Sequence, residues 1–459
     1  MTKAIIPILI CLMLSVTTAA TAVAGVLDDY VEEGLEDNLA LRQRDFSLEK
    51  SRAQLREARG LFFPTVDINA RYSRAGGGRT VDFPVGDLIN PIHDALNQLI
   101  GEPAFPGNLP NVSTPFLLEK EQETKLEILQ PIFQPQIYYN YKINSNLVSV
   151  EEAGRDVFRQ DLILEIKTAY YNYLKTVKFV ELATETEALL QENLRISRSL
   201  FENQMVTREV VYRAQAELSE LEQQKAEALK GRILAQSYFN FLLNRPLDTQ
   251  VETEIPAELP PGPDADLAGL QNRALGKRYE VAQLERGIEA AGNGVRLSKS
   301  TYLPNLLFAF DYGYQGEDYR FGGEDDFWMG SLVLQWNLFS GLKRKAQTDQ
   351  ARAEENRLRA QMSELEQGIK LEVTEARQNL IVAHQAHEAA LDRNESSAKS
   401  FEIVNRKFRE GVSPQIEFLD ARVTMTRAQV NLIVTTFDYH IRRARYERVV
   451  GIYSFNEDR

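Results

Sequence analysis

The sequence of 459 residues has very few residues that could cross-link a fold through a disulfide or a bound metal: one cysteine, Cys11, and four histidines. Cys11 lies in an apolar run that follows Lys3 and precedes the small residues 22–24, an order typical of a secretory signal peptide. We expect residues 1–24 to be removed, which leaves a mature chain without cysteine. A disulfide framework, a zinc site built on cysteine and a thiol nucleophile are then excluded.

Basic residues are fewer than acidic residues, and the residue arrangements typical of enzymes are missing from the sequence. Its 66 acidic residues outnumber its 53 basic residues, and the net charge of −13 argues against a nucleic-acid partner. His384 and His387 are three residues apart on a predicted helix, but no cysteine or carboxylate cluster completes a metal site around them. Because no Ser/His/Asp arrangement, catalytic carboxylate pair or nucleotide motif is present, we predict no enzymatic activity, metal or cofactor.

The order of elements occurs twice, on either side of a proline-rich centre near residues 255–263. Nine pairs of identical or similar residues keep one spacing of 207 residues, as Leu164 and Leu371 do. A repeat of this length indicates a duplicated structural unit. We therefore predict a signal peptide and two structural repeats, at residues 1–24, 25–254 and 255–459.

Segments with a period of two predict two strands in each repeat. Phe308, Phe310 and Tyr312 alternate with small or polar residues, and aromatic residues cluster near the strand ends. Such alternation over about ten residues is typical of strands that cross a membrane. Two soluble hairpins around a core are the alternative, but the aromatic rows opposite polar residues disfavour it. The predicted strands are residues 65–74, 121–131, 305–314 and 327–338.

Long stretches without proline, with apolar residues at spacings of three and four, predict unusually long helices. A helix of about 65 residues rises about 100 Å, far beyond the ordinary length in globular proteins. The apolar stripes are narrow, so neighbouring helices should meet through seams like those of coiled coils. The predicted helices are residues 27–59, 137–202 and 209–243 in the first repeat and 265–300, 342–409 and 415–450 in the second.

The first repeat has a long segment between its two strands, residues 75–119, where the second repeat has a short one. The segment is rich in proline and begins with the glycine triplet 76–78. The triplet lacks the Lys-Ser/Thr of a phosphate-binding loop. We predict a flexible loop without a core, facing the outside of the cell.

Four strands cannot close into a barrel, and unpaired strand edges are not tolerated in lipid. Two copies would give eight strands around a filled interior, whereas three would give twelve, wide enough for a water-filled lumen. Strand number and helix length predict a mixed α/β homotrimer, in which a twelve-stranded β-barrel is continued by a long α-helical coiled-coil barrel. A periplasmic or surface coiled-coil scaffold without a pore is the alternative, but it has no use for lipid-facing residues such as Trp328 and Trp336.

The chain resembles the TolC family of outer-membrane efflux proteins over essentially its whole mature length. The resemblance rests on three motifs. The first is the segment Leu-Gln-Pro-Ile-Phe at the end of a predicted strand, residues 129–133, and the second is its copy at 335–339. The third is a turn motif with Phe408, Gly411 and Glu417. It implies a trimeric channel in the outer membrane of a Gram-negative bacterium, with a periplasmic tunnel of helices. It also implies docking to a periplasmic adaptor and an inner-membrane transporter, for efflux or type I secretion.

The resemblance places Glu417 and Asp420 in the acidic ring that narrows the periplasmic end of such a tunnel. The two residues are three apart on one helix and share a face, so three copies would gather six carboxylates, enough to select cations. An ordinary solvated face is the alternative. We expect Arg213, at the position equivalent to Asp420 in the first repeat, to pair with the ring and hold the tip closed. The expected adaptor contacts are the turn residues Gln204, Met205, Val206, Thr207, Gly411, Val412 and Ser413.

Overall fold

The computed structural model describes residues 25–255, 259–260, 262–320 and 322–452, so the predicted signal peptide lies outside the described residues. Nine helices occur in this part of the chain: α1 Val26–Asp37, α2 Leu39–Gly60, α3 Val85–Ile100, α4 Pro135–Glu202, α5 Arg208–Leu242, α6 Leu267–Lys277, α7 Tyr279–Ser300, α8 Lys343–Arg409 and α9 Gln415–Val450. The strands are β1 Thr65–Arg74, β2 Thr80–Phe83, β3 Val112–Pro115, β4 Lys120–Phe133, β5 Asn305–Gly316 and β6 Asp326–Gln335. Among the described residues, none of the helices combines the length and the apolar composition that a membrane span requires.

Helices and strands of similar length recur in the same order along the chain. Glu202 and Arg409 end the long helices α4 and α8, which have 68 and 67 residues, and they are 207 positions apart. Gly60 and Ser300 end the equivalent earlier helices α2 and α7, and they are 240 positions apart. The offset changes because the segment between β1 and β4 is longer than the one between β5 and β6.

The prediction of continuous helices at 27–59 and 265–300 is wrong in one respect, because each of these helices is broken once. The breaks fall at Asn38 and Arg278, which are 240 positions apart and have extended backbone. The Asn38 side chain accepts hydrogen bonds from the backbone N–H groups of Ala40 and Leu41, so it caps a new helix. Helical periodicity continues through both positions, and it therefore gave no sign of the breaks.

The segment 75–119, predicted as a flexible loop without a core, contains regular secondary structure. This segment contains the antiparallel pair β2 and β3, with Thr80 opposite Pro115, and the helix α3 between them. Two of its prolines and glycines flank the helix: Pro84 precedes α3, and Gly101 ends it with a φ of 83°. A high content of glycine and proline reflected several short elements in this segment and not the absence of structure.

Four strands form one antiparallel sheet in the order β1-β4-β5-β6. One row across it joins Ile68, Leu126, Tyr312 and Trp328. Because successive side chains in a strand point to opposite faces, this row and its even-numbered neighbours form an apolar face. Within the described residues, β1 and β6 each pair on one side only.

The opposite face of the sheet carries charge. Lys125 and Asp311 form an ion pair with an N–O distance of 3.0 Å, and the Asn69 amide donates to the Glu127 carboxylate at 2.7 Å. The alternation predicted from the sequence is therefore confirmed, with one apolar and one polar face.

The chain divides into two compact units. One consists of the described residues of 1–46, 153–281 and 364–459, and the other of those of 47–152 and 282–363. The second unit contains the four-stranded sheet and α3. The first unit has an apolar core in each repeat, around Ile166 and Phe239 in the first and around Ile369 and Tyr439 in the second.

An ion-pair network with two largely buried arginines, Arg278 and Arg448, lies at the break between α6 and α7. The Arg278 side chain is 6% exposed and pairs with Glu280 at 2.7 Å and with Glu372 at 2.5 Å. Arg448 of α9 pairs with the same Glu280 at 2.6 Å and with Asp161 of α4 at 2.7 Å. Burial alone would raise the pKa of the Glu280 carboxyl, but the two guanidinium groups outweigh it and lower this pKa to about 2.

We predict that Glu280→Gln removes a pH-dependent part of the free energy of unfolding. A carboxyl whose pKa is lowered on folding stabilises the fold above its unfolded pKa, near 4.5, and loses this contribution as the pH falls towards 2. The stability difference between wild type and variant should therefore shrink by about 3 kcal/mol over that interval. Chemical unfolding of the detergent-solubilised proteins at a series of pH values measures it.

Glu209→Gln is the matched control, because Glu209 belongs to an exposed ion pair with Arg213. Its effect should be small at every pH. A difference between wild type and Glu280→Gln that stays constant from pH 5 to pH 2 would contradict the role of the network.

Candidate functional site at the helical turns

The turn between α8 and α9 is closed by a glycine in the left-handed conformation. Gly411 has a φ of 69°, and the Val412 N–H donates to the Lys407 carbonyl at 2.9 Å. This Schellman arrangement satisfies one of the carbonyls that the last helical turn leaves without a partner. The Ser413 hydroxyl donates to the Glu417 carboxylate at 2.5 Å, across the start of α9.

The turn between α4 and α5 has the same backbone without a glycine. Gln204 lies 207 positions before Gly411 and has a φ of 60°. The Met205 N–H donates to the Leu200 carbonyl at 2.9 Å, the same pattern as in the second turn. A left-handed residue other than glycine costs about 1–2 kcal/mol. The missing glycine therefore leaves the turn geometry unchanged and adds local strain.

The acidic residues predicted for the constriction lie together at the start of α9. Glu417 and Asp420 are both exposed and are one helical turn apart. Within the chain, Arg213 pairs with Glu209 of its own helix at 3.0 Å. The structure thus brings two of the three predicted gate residues together, and the pairing of Arg213 with the acidic ring stays a prediction about neighbouring copies.

Two polar contacts that the sequence analysis missed join α5 to α9 beside these turns. The Gln415 amide donates to the Val210 carbonyl at 3.0 Å. Arg422, with a side chain that is 10% exposed, pairs with Glu217 at 2.5 Å. The sequence signal for this ion pair is a charged residue next to the apolar row of each helix: Glu217 beside Leu218 in α5, and Arg422 three residues after Leu419 in α9.

Aromatic packing fixes the ends of α8 and α9 behind the second turn. The rings of Phe408 and Phe418 stack with their centroids 4.9 Å apart. Phe401 and Leu419 complete this buried cluster. Because these four side chains come from both helices, the position of Glu417 is set by a packed core and not by a mobile loop.

Large apolar side chains are exposed at the turns themselves. Met205 is 66% exposed and Val412 is 72% exposed. The two turns approach each other, because a Cβ built on Gly411 would lie 3.8 Å from the Met205 methyl carbon. Ile416 and Tyr212 extend the exposed apolar surface along α9 and α5. Exposed apolar surface rimmed by polar groups is typical of protein–protein contact sites.

His387 of α8 and His440 of α9 each contact a residue of a neighbouring helix. No group of three or more His, Cys, Asp or Glu in the described part of the chain is arranged to hold a metal ion. The His387 ring lies 3.2 Å from the Thr436 hydroxyl, and His440 stacks on Tyr171 with ring centroids 4.9 Å apart. Burial lowers the pKa of His440 to about 4, so the ring is neutral and acts as a packing residue at neutral pH.

Comparison with known proteins gives one family. The family model described as "Outer membrane efflux protein" matches residues 270–451. The probable efflux pump outer membrane protein TtgC of Pseudomonas putida is 22% identical over 419 residues, which are 89% of this chain and 79% of that protein. The alkaline protease secretion protein AprF of Pseudomonas aeruginosa is 22% identical over 336 residues, which are 71% of this chain and 69% of that protein.

The fold is also that of solved outer-membrane channels. The CmeC outer membrane channel of Campylobacter jejuni superposes with a TM-score of 0.75 at 16% identity. The superposition covers 93% of this chain and 85% of that chain. At this level of identity the likeness concerns the fold, which includes the long helices and the short sheet described above.

We predict that Gly411→Ala destabilises the second turn by about 1–2 kcal/mol, because alanine is strained at a positive φ. The new methyl group would make only an ordinary van der Waals contact with Met205, so the loss of stability comes from backbone strain and not from a steric clash. Gly368→Ala is the matched control: Gly368 lies inside α8, and a Cβ there would meet nothing within 4 Å. This control should stabilise the helix by up to about 1 kcal/mol. Thermal unfolding in detergent gives both values, and shifts in the same direction would contradict the assignment.

Proposed function

Since the chain belongs to the TolC family of outer-membrane efflux proteins, we propose that it is the outer-membrane channel of a tripartite efflux or type I secretion system. It conducts substrates passively to the exterior from an inner-membrane transporter and a periplasmic adaptor. The relatives are channel components and support this function, not a scaffold without a pore. The family consists of channel proteins, and we assign the chain no catalytic residue and no cofactor.

The observation that carries this proposal is a four-stranded sheet with an exposed apolar face and two half-paired edges. Ile68 is 76% exposed, Trp328 is 73% exposed and Leu332 is 70% exposed. Such a surface is unfavourable in water and favourable in lipid. In lipid, however, every backbone donor and acceptor must be paired within the protein. Pairing β6 of each copy with β1 of the next in a homotrimer satisfies both conditions in a twelve-stranded barrel.

The polar face of the sheet then lines the lumen. The Lys125–Asp311 ion pair and the Asn69–Glu127 hydrogen bond lie on this face. In a barrel of about twelve strands the interior is wide enough to hold water, which solvates these groups. The lumen is therefore hydrophilic and suits passive conduction.

The location follows from the same assignment. The barrel lies in the outer membrane of a Gram-negative bacterium, and the helices α4, α5, α8 and α9 form the periplasmic tunnel. Residues 1–24 are a signal peptide for export, and residues 25–254 and 255–459 are the two structural repeats. The segment between β1 and β4 then faces the cell exterior.

The surface formed by the α4–α5 turn and the α8–α9 turn is the docking site for the adaptor. Met205 and Val412 supply exposed apolar area on the two turns, and both turns are held rigidly by their Schellman bonds. A rigid surface with apolar anchors loses little conformational entropy on binding. The remaining residues assigned to this surface are Gln204, Val206, Thr207, Gly411 and Ser413.

The acidic group at the start of α9 is the gate. In a trimer, Glu417 and Asp420 contribute six carboxylates to one constriction, and Arg213 of α5 is assigned as their cationic partner. The Arg422–Glu217 pair holds α5 against α9 close to this point. Opening of the tip therefore requires motion of packed helices and not of the turns alone.

The repeat predicts the register between copies. Val66 pairs with Ile128 as Leu306 pairs with Leu334, so Ile128 and Leu334 are equivalent in the sheet. Ile128 also pairs with Phe310 of β5, and the position equivalent to Phe310 in β1 is Ala70. Leu334 of one copy should therefore lie opposite Ala70 of the next.

We predict that oxidation of an Ala70→Cys/Leu334→Cys variant gives covalent dimers and trimers, because both side chains lie on the same face of adjacent strands. Ala70→Cys/Val333→Cys is the control, since Val333 points to the opposite face. Each variant would have no other cysteine after signal-peptide removal. Gel electrophoresis without reductant is the readout. Equal cross-linking of both variants, or none in either, would contradict the proposed pairing.

We predict that Glu417→Ala/Asp420→Ala removes the cation preference of the channel in planar bilayers. The fold should hardly change, because exposed carboxylates contribute little stability. Arg213→Ala, in contrast, should raise the conductance by loosening closure while it leaves the cation preference intact. Unchanged ion selectivity in the double variant would show that these residues are an ordinary solvated face.

A further inference from the structure

The helix α3 has its polar face turned inward. The Asn90 side chain donates to the Leu109 carbonyl at 3.0 Å and accepts from the Leu109 N–H at 2.7 Å. Asn97 makes the same pair of hydrogen bonds with the backbone of Phe105, at 2.8 and 2.9 Å. His93, on the same face, lies 2.7 Å from the Pro106 carbonyl oxygen. The chain that follows α3 is thus bound along its polar face.

The apolar face of α3 is consequently exposed. Leu88 is 66% exposed, Ile92 is 57% exposed and Leu99 is 83% exposed. With Ala95, these residues follow one another at spacings of four, three and four. This spacing keeps side chains on one stripe of a helix and is the spacing of a coiled-coil seam. We call these four residues the α3 stripe.

The charges around α3 disfavour a lipid surface as the partner of the stripe. Residues 80–119 contain no lysine or arginine, and the acidic Asp87 and Asp94 of α3 lie away from the stripe. Helices that lie on membranes typically have basic residues on their polar face, which attract anionic headgroups. A helix whose only charged residues are acidic is repelled by such a surface. Its apolar stripe, in contrast, can pack against an identical stripe without bringing the acidic residues together.

We propose that the α3 stripes of the three copies pack against one another and cap the external opening of the barrel. This inference rests on the proposed homotrimer, in which the segment between β1 and β4 projects from the same end of every copy. Because α3 is joined to that end through β2 and β3, three copies bring three exposed stripes around one axis. Their mutual burial removes the exposed side chains of Leu88, Ile92 and Leu99 from water.

Single-cysteine variants test the contact. Leu99→Cys places a thiol on the stripe, and Gln98→Cys places one on the adjacent face of the same helix turn. Oxidation in outer-membrane vesicles should cross-link Leu99→Cys into dimers and leave Gln98→Cys monomeric on a denaturing gel. The Ala70→Cys/Leu334→Cys variant is oxidised in parallel to establish that the trimer is present.

The outcomes separate this inference from the proposed function. Dimers of Leu99→Cys support the cap. No dimers of Leu99→Cys, in a preparation where Ala70→Cys/Leu334→Cys cross-links, overturn the cap and leave the trimer standing. Quenching of a fluorophore on Leu99→Cys by brominated lipid also overturns it, because the stripe then lies in the membrane.

A second variant gives a functional readout. Leu88→Asp/Leu99→Asp should open the cap and raise the basal conductance of the channel in planar bilayers. Both side chains are exposed in the single chain, so the variant should fold. Asp87→Asn/Asp94→Asn is the control, off the stripe, and should leave the conductance unchanged. Equal conductance of the stripe variant and the wild type overturns the cap.

Discussion

The architecture depends on one constraint, which is that a backbone within lipid must satisfy its own hydrogen bonds. A sheet in the order β1-β4-β5-β6 satisfies this constraint at its two inner strands and leaves one side of β1 and of β6 to be paired elsewhere. Identical copies solve the problem because the free edge of one matches the free edge of the next. The proposed trimer and its lumen both follow from that pairing.

The two proposed repeats have equivalent backbone positions and use them differently. Asn38 and Arg278 break equivalent helices, but Asn38 does so as a cap, whereas Arg278 is a buried member of an ion-pair network. Gln204 and Gly411 occupy equivalent left-handed positions, and only the second is free of strain. The repeat therefore preserves geometry while the chemistry diverges, which concentrates the acidic residues at the second turn.

Patterns with a period could be predicted from the sequence, and single contacts could not. Alternation in β5 and β6 and the stripes of α4 and α8 recur over many residues, so they identify each element and its faces. Asn38 and Arg278 lie within continuous helical patterns and break them through individual side-chain contacts. Likewise, the Arg422–Glu217 pair and the exposure of the apolar face of α3 depend on which segments of the chain contact each other. In α3 the decisive partners of Asn90 and Asn97 are backbone groups, which leave no trace in a sequence pattern.

The mass of the intact complex is the most direct test of the claim that identical copies close the barrel. Native mass spectrometry of the protein released from a mild detergent measures this mass without labels or substitutions. We predict a single species of three chains, since twelve strands close with a water-filled lumen. A stable species of one or two chains would contradict it, because four or eight strands leave the edges open or the interior filled.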